Sequence, residues 1–262
     1  MKEKLIIIKI GGAIIDHPQR LNTFLEQFAV LPDKKILIHG GGKIATDLAL
    51  QLGIEQKMVD GRRITDTDTL RIVTMVYAGL INKNLVAALN TRGVTAIGLT
   101  GADARLIQAH KRIHPTIDYG WVGDVEKVNS NFLHRLLSDH LLPVIAPITS
   151  DNKGQLLNTN ADTIAASLAT ALSCDYQVEL VYAFEQAGVM RNIQDSNSVI
   201  PSIHAKYYRQ LLDENIISGG MLPKLENAFN TLSKGVGKVI IGDATHLNEL
   251  LTGKAGTTLS HE

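Results

Sequence analysis

Two lysines stand where a lysine is costly. Lys9 interrupts the apolar run Leu5 to Ile10 and is followed by Gly11-Gly12. An ammonium in such a strand must meet an anion or escape to water. The two glycines would let backbone N–H groups approach a ligand closely. A strand-end lysine before a tight turn would use the same residues. Lys224 closes the segment Gly219-Gly220-Met221-Leu222-Pro223-Lys224, a glycine loop running into a helix start at Pro223. A cation in a helix's first turn opposes the dipole unless an anion is present. That conflict between residue and position points to function.

Three further clusters carry polar chemistry. His39-Gly40-Gly41-Gly42-Lys43 lies between a strand and a helix. Glycines there free backbone amides to wrap an anion at the helix's positive end. The cluster is not a Walker A loop, since the spacing and the Lys-Ser/Thr pair are missing. It is not the dinucleotide fingerprint either. A flexible turn is the alternative, with His39 read as a packed strand-end residue. Gly61-Arg62-Arg63-Ile64-Thr65 offers guanidinium groups that bind carboxylates through paired hydrogen bonds, or else a solvated arginine pair. In Asn158-Thr159-Asn160-Ala161-Asp162, capping explains one polar residue at a helix start but not three. Taken together, the clusters describe a polyanion bound beside a carboxylate.

The elements that must position these residues alternate along the chain. Leu5–Ile10, Lys35–His39, Thr95–Leu99, Leu142–Ala146, Gln177–Ala183 and Lys238–Gly242 are short runs apolar on both faces. They suit central parallel strands covered by helices. Helices are expected from Pro18 to about Ala29, after Thr65–Asp68 up to Arg92-Gly93, after Asn160 to about Ser173, and over Leu222–Ser233. Leu106–Ala109 and Trp121–Val128 read as an antiparallel excursion. The expected class is therefore α/β, with a mainly parallel sheet. No linker divides the chain, so two lobes on one continuous sheet are expected, residues 1–174 and 175–262.

The chain has 262 residues, with 26 Lys+Arg and 26 Asp+Glu, so no global basic field exists to hold nucleic acid. A small anionic ligand needs only a local positive site. The single cysteine, Cys174, permits no intrachain disulfide and no cysteine zinc cluster. The apolar N-terminal run is too short to span a bilayer. A cytoplasmic protein without membrane partners is expected.

At these motifs the sequence resembles the N-acetylglutamate kinases of the amino-acid kinase family. The likeness runs from about Leu5 to Leu259 and includes Gly120-Trp121-Val122-Gly123-Asp124-Val125. It implies a three-layer αβα sandwich with an open sheet. The N-terminal lobe would bind the acyl amino acid and form a homodimer, and the C-terminal lobe would bind ATP. It further implies that Lys9 and Lys224 neutralise charge on the transferring phosphoryl group, with Asp162 holding both ammonium groups. Gly41, Gly42, Arg63 and Asn158 would contact the substrate, with Arg63 on a carboxylate. Gly11, Gly12, Glu185, Gly188 and Gly220 would contact the nucleotide. Mg²⁺ would be bound through the nucleotide phosphates, with no protein metal site.

The implied reaction phosphorylates the side-chain carboxylate of N-acetyl-L-glutamate, a step of arginine biosynthesis. It suits the residue inventory. A glutamate side chain has a reference pKa of about 4.3 and is already an anionic nucleophile near neutral pH. The task is then positioning and cation screening. One stretch departs from the family pattern. Phe184-Glu185-Gln186-Ala187-Gly188 stands where similar enzymes usually carry a Ser/Thr-Asp pair, so a carboxylate survives without the hydroxyl. N-succinyl-L-glutamate as acceptor, and a non-catalytic nucleotide or amino-acid sensor on the same fold, are the alternatives. A dinucleotide-dependent oxidoreductase is disfavoured by the missing fingerprint.

Overall fold

Each apolar run read as a strand forms one in the computed structural model, within two residues at either end. The structure describes residues 2–59, 62–192, 194–195, 198–217 and 221–261. In chain order it begins with β1 (Glu3–Ile10), α1 (Gly12–Ile15), α2 (Pro18–Ala29), β2 (Lys34–His39) and α3 (Gly42–Gln51). The hairpin β3 (Met58–Val59) and β4 (Arg62–Arg63) precedes α4 (Thr67–Thr74), a π-helical segment (Met75–Ile81) and α5 (Asn82–Asn90). Next come β5 (Ala96–Leu99), β6 (Ile107–Lys111), β7 (Val122–Val128), α6 (Ser130–Ser138), β8 (Leu142–Ile145) and β9 (Ile148–Ser150). Then follow β10 (Leu156–Thr159), α7 (Ala161–Leu172), β11 (Tyr176–Phe184), β12 (Ser202–His204) and α8 (Ala205–Asp213). The chain closes with α9 (Met221–Ser233), β13 (Lys238–Asp243), α10 (Leu247–Leu251) and β14 (Thr257–Ser260).

Two compact units result. One gathers Met1–Lys35 with Ala165–Glu262, and the other is Ile36–Ile164. These differ from the lobes expected at 1–174 and 175–262. The physical reason is strand pairing: β1 runs parallel to β11 along its whole length, from Glu3 opposite Tyr176 to Ile10 opposite Ala183. The first strand thus belongs with the C-terminal part of the chain.

In the first unit the strand order is β12-β14-β13-β11-β1. Of these neighbours, β13 and β14 pair antiparallel and the others parallel. Leu5, Ile6, Ile7 and Ile8 are all fully buried, so β1 is covered on both faces, as its unbroken apolar run requires. Pro18 opens α2, where a missing N–H costs nothing. The rings of Phe24 and Phe28, one turn apart, stack at 5.5 Å on its buried face.

The second unit holds β2, β8 and β5 in parallel register. The antiparallel pair β6 and β7 is present as expected, and β9 and β10 join it to close a small barrel. The barrel was not foreseen, because β9 and β10 are only three and four residues long and carry Thr, Ser and Asn. Asp66 caps α4 by accepting from the Thr69 N–H at 2.8 Å, which also lowers its carboxyl pKa. The helical run 67–90 is long and apolar enough to cross a bilayer by length and composition. It buries Leu70, Ile72, Val73, Val76, Tyr77, Ile81, Leu85 and Leu89, the pattern of a core helix.

Candidate active site

The first unit contains a cleft of about 830 Å³ lined by Lys9, Gly11, Gly12, Phe184, Glu185, Gly188 and Lys224, among others. Strand ends build it. Lys9 lies one residue before the end of β1, opposite Tyr182 of β11. Phe184 ends β11 and Glu185 follows it. Lys224 stands in the first turn of α9, as the sequence predicts. Its Nζ lies 5.3 Å from the centre of the Phe184 ring. Two ammonium groups converging on one cleft make a local positive site in a chain of zero formal net charge.

The glycines divide by role. Gly11 donates its N–H to the Ala183 carbonyl at 3.0 Å, extending the β1–β11 pairing by one residue. That amide is thus engaged within the sheet. Gly12 begins α1. Gly188 is required by packing, since a Cβ there would sit 2.8 Å from Thr257 Oγ1 and 2.9 Å from Val199 Cγ1. Gly220, expected to contact nucleotide, lies outside the described residues, as do Gly61 and Gly219.

A second polar cluster forms within residues 36–164. Arg63 is only 9 % exposed. Its Nη2 donates to the Gly42 carbonyl and to Thr46 Oγ1, each at 2.9 Å, and its Nη1 donates to Gln56 Oε1. Every one of these acceptors is neutral. Tyr77 lies alongside: burial raises its phenol pKa, and the Arg63 charge partly offsets that. A guanidinium buried among neutral acceptors, with no carboxylate paired to it among the described residues, is an electrostatic demand for an anion. Asn158 joins through Thr65: its Nδ2 donates to Thr65 Oγ1 at 3.0 Å, and Thr65 Oγ1 donates to the Arg63 carbonyl at 3.2 Å. Thr46, Gln56, Thr65 and Tyr77 were missed by sequence reasoning, except as Thr65 closed a motif. No spacing rule connects a helix, a loop and a hairpin.

The glycine loop lies beside this cluster. Gly41 has φ +138°, and a Cβ there would sit 2.1 Å from Ile81 Cδ1, so no other residue fits. His39 is fully buried, with Nδ1 2.9 Å from the Gly40 carbonyl and Nε2 3.3 Å from Asn82 Nδ2. Asn82 Nδ2 also donates to the Val144 carbonyl at 2.9 Å, and its Oδ1 accepts from Lys83. The amide thus presents a donor to the ring, so Nε2 accepts and Nδ1 carries the proton. Burial agrees, lowering the His39 pKa from 6.5 to about 4. Holding the Gly40 carbonyl fixes the whole peptide plane. In a trans peptide the Gly41 N–H then points away from His39.

Asp162 lies in the first turn of α7. The cap is Asn160, whose Oδ1 accepts from the N–H groups of Asp162 at 2.9 Å and Thr163 at 3.1 Å. Capping is thus discharged by a neighbour and leaves Asp162 to another task. Asp162 is not among the residues lining the cleft of the first unit. Among the described residues, no group of three or more His, Cys, Asp or Glu side chains could hold a metal ion.

Comparison with known proteins follows the same outline. The chain is 54% identical over 249 residues to acetylglutamate kinase of Phocaeicola vulgatus, covering 95% of this chain and 97% of that one. It is 54% identical to acetylglutamate kinase of Cytophaga hutchinsonii, covering 95% of each. Among solved structures, smu.665 from Streptococcus mutans superimposes with a TM-score of 0.81 at 28% identity, over 98% of this chain and 99% of that one. N-acetylglutamate synthase from Neisseria gonorrhoeae shares the fold, with a TM-score of 0.85 at 21% identity, over all of this chain and 60% of that one. The profile described as the amino acid kinase family matches residues 4–243. The chain belongs to the amino acid kinase family.

Proposed function

We propose that this enzyme transfers the γ-phosphoryl group of ATP to the side-chain carboxylate of N-acetyl-L-glutamate, a step of arginine biosynthesis. Two observations carry the reading: a two-lysine cleft in one unit and, in the other, a buried arginine with no carboxylate paired to it among the described residues. The near full-length identity to acetylglutamate kinases supports the choice of acceptor.

In this reading ATP occupies the cleft of the first unit. Lys9 and Lys224 screen the phosphoryl oxygens, and Gly12, Glu185 and Gly188 contact the nucleotide. Gly11 lets its backbone come close. Arg63 grips a carboxylate of the acceptor, Asn158 and the Gly41 and Gly42 backbone orient it, and Asp162 holds the lysine ammonium groups. A carboxylate oxygen attacks the γ-phosphorus as the bond to the β-phosphate oxygen breaks, releasing ADP and an acyl phosphate. The carboxylate is already ionised near neutral pH, so no base removes a proton. What the protein supplies is alignment and charge screening between two anions. Mg²⁺ bound to the ATP phosphates would add further neutralising charge. The enzyme is further proposed to be cytoplasmic and to act as a homodimer, the assembly the resemblance implies.

A hydroxylamine trap for acyl phosphate, with ATP and Mg²⁺, tests the reading. The strongest signal is expected with N-acetylglutamate. A stronger one with N-succinylglutamate or free glutamate would change the acceptor. ATP binding with no trapped product from any of the three would leave a sensor.

A further inference from the structure

We propose that His39 and Asn82 are positioning residues for the acceptor, joined in a buried chain of hydrogen bonds that sets the direction of the Gly41 N–H. The inference rests on the proposed part of the Gly41 backbone in orienting the acceptor.

The chain begins at Asn82, the first residue of α5 and the first after the π-helical segment. Lys83 Nζ, which can only donate, lies 3.1 Å from Asn82 Oδ1. That contact settles which end of the amide is the oxygen. Nδ2 is left to donate to the Val144 carbonyl at 2.9 Å and to face His39 Nε2 at 3.3 Å. Gly98 makes room for this amide, since a Cβ there would collide with Asn82 Oδ1. With a donor at Nε2, the neutral ring carries its proton on Nδ1 and donates it to the Gly40 carbonyl at 2.9 Å.

The chain ends at Gly41. Its N–H lies across a trans peptide from the held carbonyl and points the opposite way. Gly41 is buried, and among the described residues nothing accepts from that N–H. A buried N–H without an acceptor is costly, and a ligand that accepts from it removes the cost. Ile81, next to Asn82, closes in on the same residue: a Cβ on Gly41 would collide with Ile81 Cδ1. The end of the π-helical segment thus braces the glycine loop twice, by packing at Gly41 and by hydrogen bonding at His39. Such segments are rare and recur at functional sites.

Nitrogen NMR of the His39 ring in the native enzyme should find the proton on Nδ1 and not on Nε2; the reverse would overturn the proposal. Asn82→Asp puts an acceptor in place of the donor and should bring a proton onto Nε2. A ring unchanged by that substitution would remove Asn82 from the chain. Adding N-acetylglutamate with a non-hydrolysable ATP analogue should move the Gly41 amide proton downfield, and an unmoved amide would also overturn the proposal. In turnover, His39→Leu should raise the acceptor Michaelis constant roughly 10- to 100-fold, with that for ATP nearly unchanged. His39→Asn, which keeps a donor near the position of Nδ1, should restore most of the loss. An equal rise in both constants, or a fall in kcat alone, would make His39 a purely structural residue and sink the inference. Absence of acyl phosphate from the native enzyme, with the ring proton on Nδ1, would instead overturn the phosphotransfer reading.

Discussion

The cleft lined by Lys9, Phe184, Glu185 and Lys224 and the arginine cluster around Arg63 handle charge in opposite ways. In the cleft, Lys9, Lys224 and Phe184 are half-buried and Glu185 is exposed. In the cluster, one buried guanidinium is clamped by a carbonyl, a hydroxyl and an amide, with a buried phenol alongside. The cleft can stand an unusual residue at Phe184 because the side chains that line it there are partly exposed. The cluster has no such latitude, since each acceptor around Arg63 loses its partner if one atom moves. Recognition of a small, singly oriented acceptor calls for the second kind of site. Accepting a triphosphate, which changes shape and charge as it reacts, calls for the first.

The sharpest break between the two regions should come from Lys224→Ala. It should lower kcat by about 10²–10³ while ATP binding weakens far less, the signature of a contact made mainly in the transition state. Equal turnover would remove Lys224 from the mechanism. Arg63→Ala should act the other way, raising the acceptor Michaelis constant by roughly ten- to hundredfold with the ATP constant little changed. An unchanged acceptor constant would contradict the carboxylate role, and Arg63→Lys should recover only part of the loss because the fork is gone.

The smallest effect concerns stability. His39 is held neutral in the fold, at about 4 against an ordinary 6.5. The unfolded chain therefore binds more protons between those values. Stability should fall as the pH drops from about 6.5 to about 4, by roughly 3 kcal/mol in all. His39→Asn, which keeps a donor near the position of Nδ1, should flatten the curve over that window. Parallel wild-type and variant denaturation curves would show that His39 does not carry this dependence.

Much of the fold was legible because apolar runs and caps act locally. The unbroken stretch Leu5–Ile8 leaves no exposed face and so demands a central strand. The helix expected after Thr65–Asp68 begins within that stretch, capped by Asp66. Lys9 and Lys224 were legible for the opposite reason: each contradicts its local surroundings, and both line the cleft. What stayed hidden was assembled across sequence. Thr46 and Gln56 are unremarkable in their own segments and acquire meaning only when β4 brings Arg63 between them. The engaged amide of Gly11 was equally invisible, since its partner Ala183 lies far along the chain. The barrel was hidden because β9 and β10 bury short polar side chains, with Thr149 and Thr159 hydroxyls joined at 2.7 Å.

The pairing of β1 with β11 also sets an order of events during synthesis. Residues 36–164 form a unit of their own and leave the ribosome as a contiguous piece, so their contacts can close while translation continues. The first strand emerges before all of them, and its neighbour on one edge, Tyr176–Phe184, is made only afterwards. Until then that edge of Leu5 to Ile10 stays open on the nascent chain. Closing that edge is a long-range pairing, and such pairing is slower than the formation of local contacts.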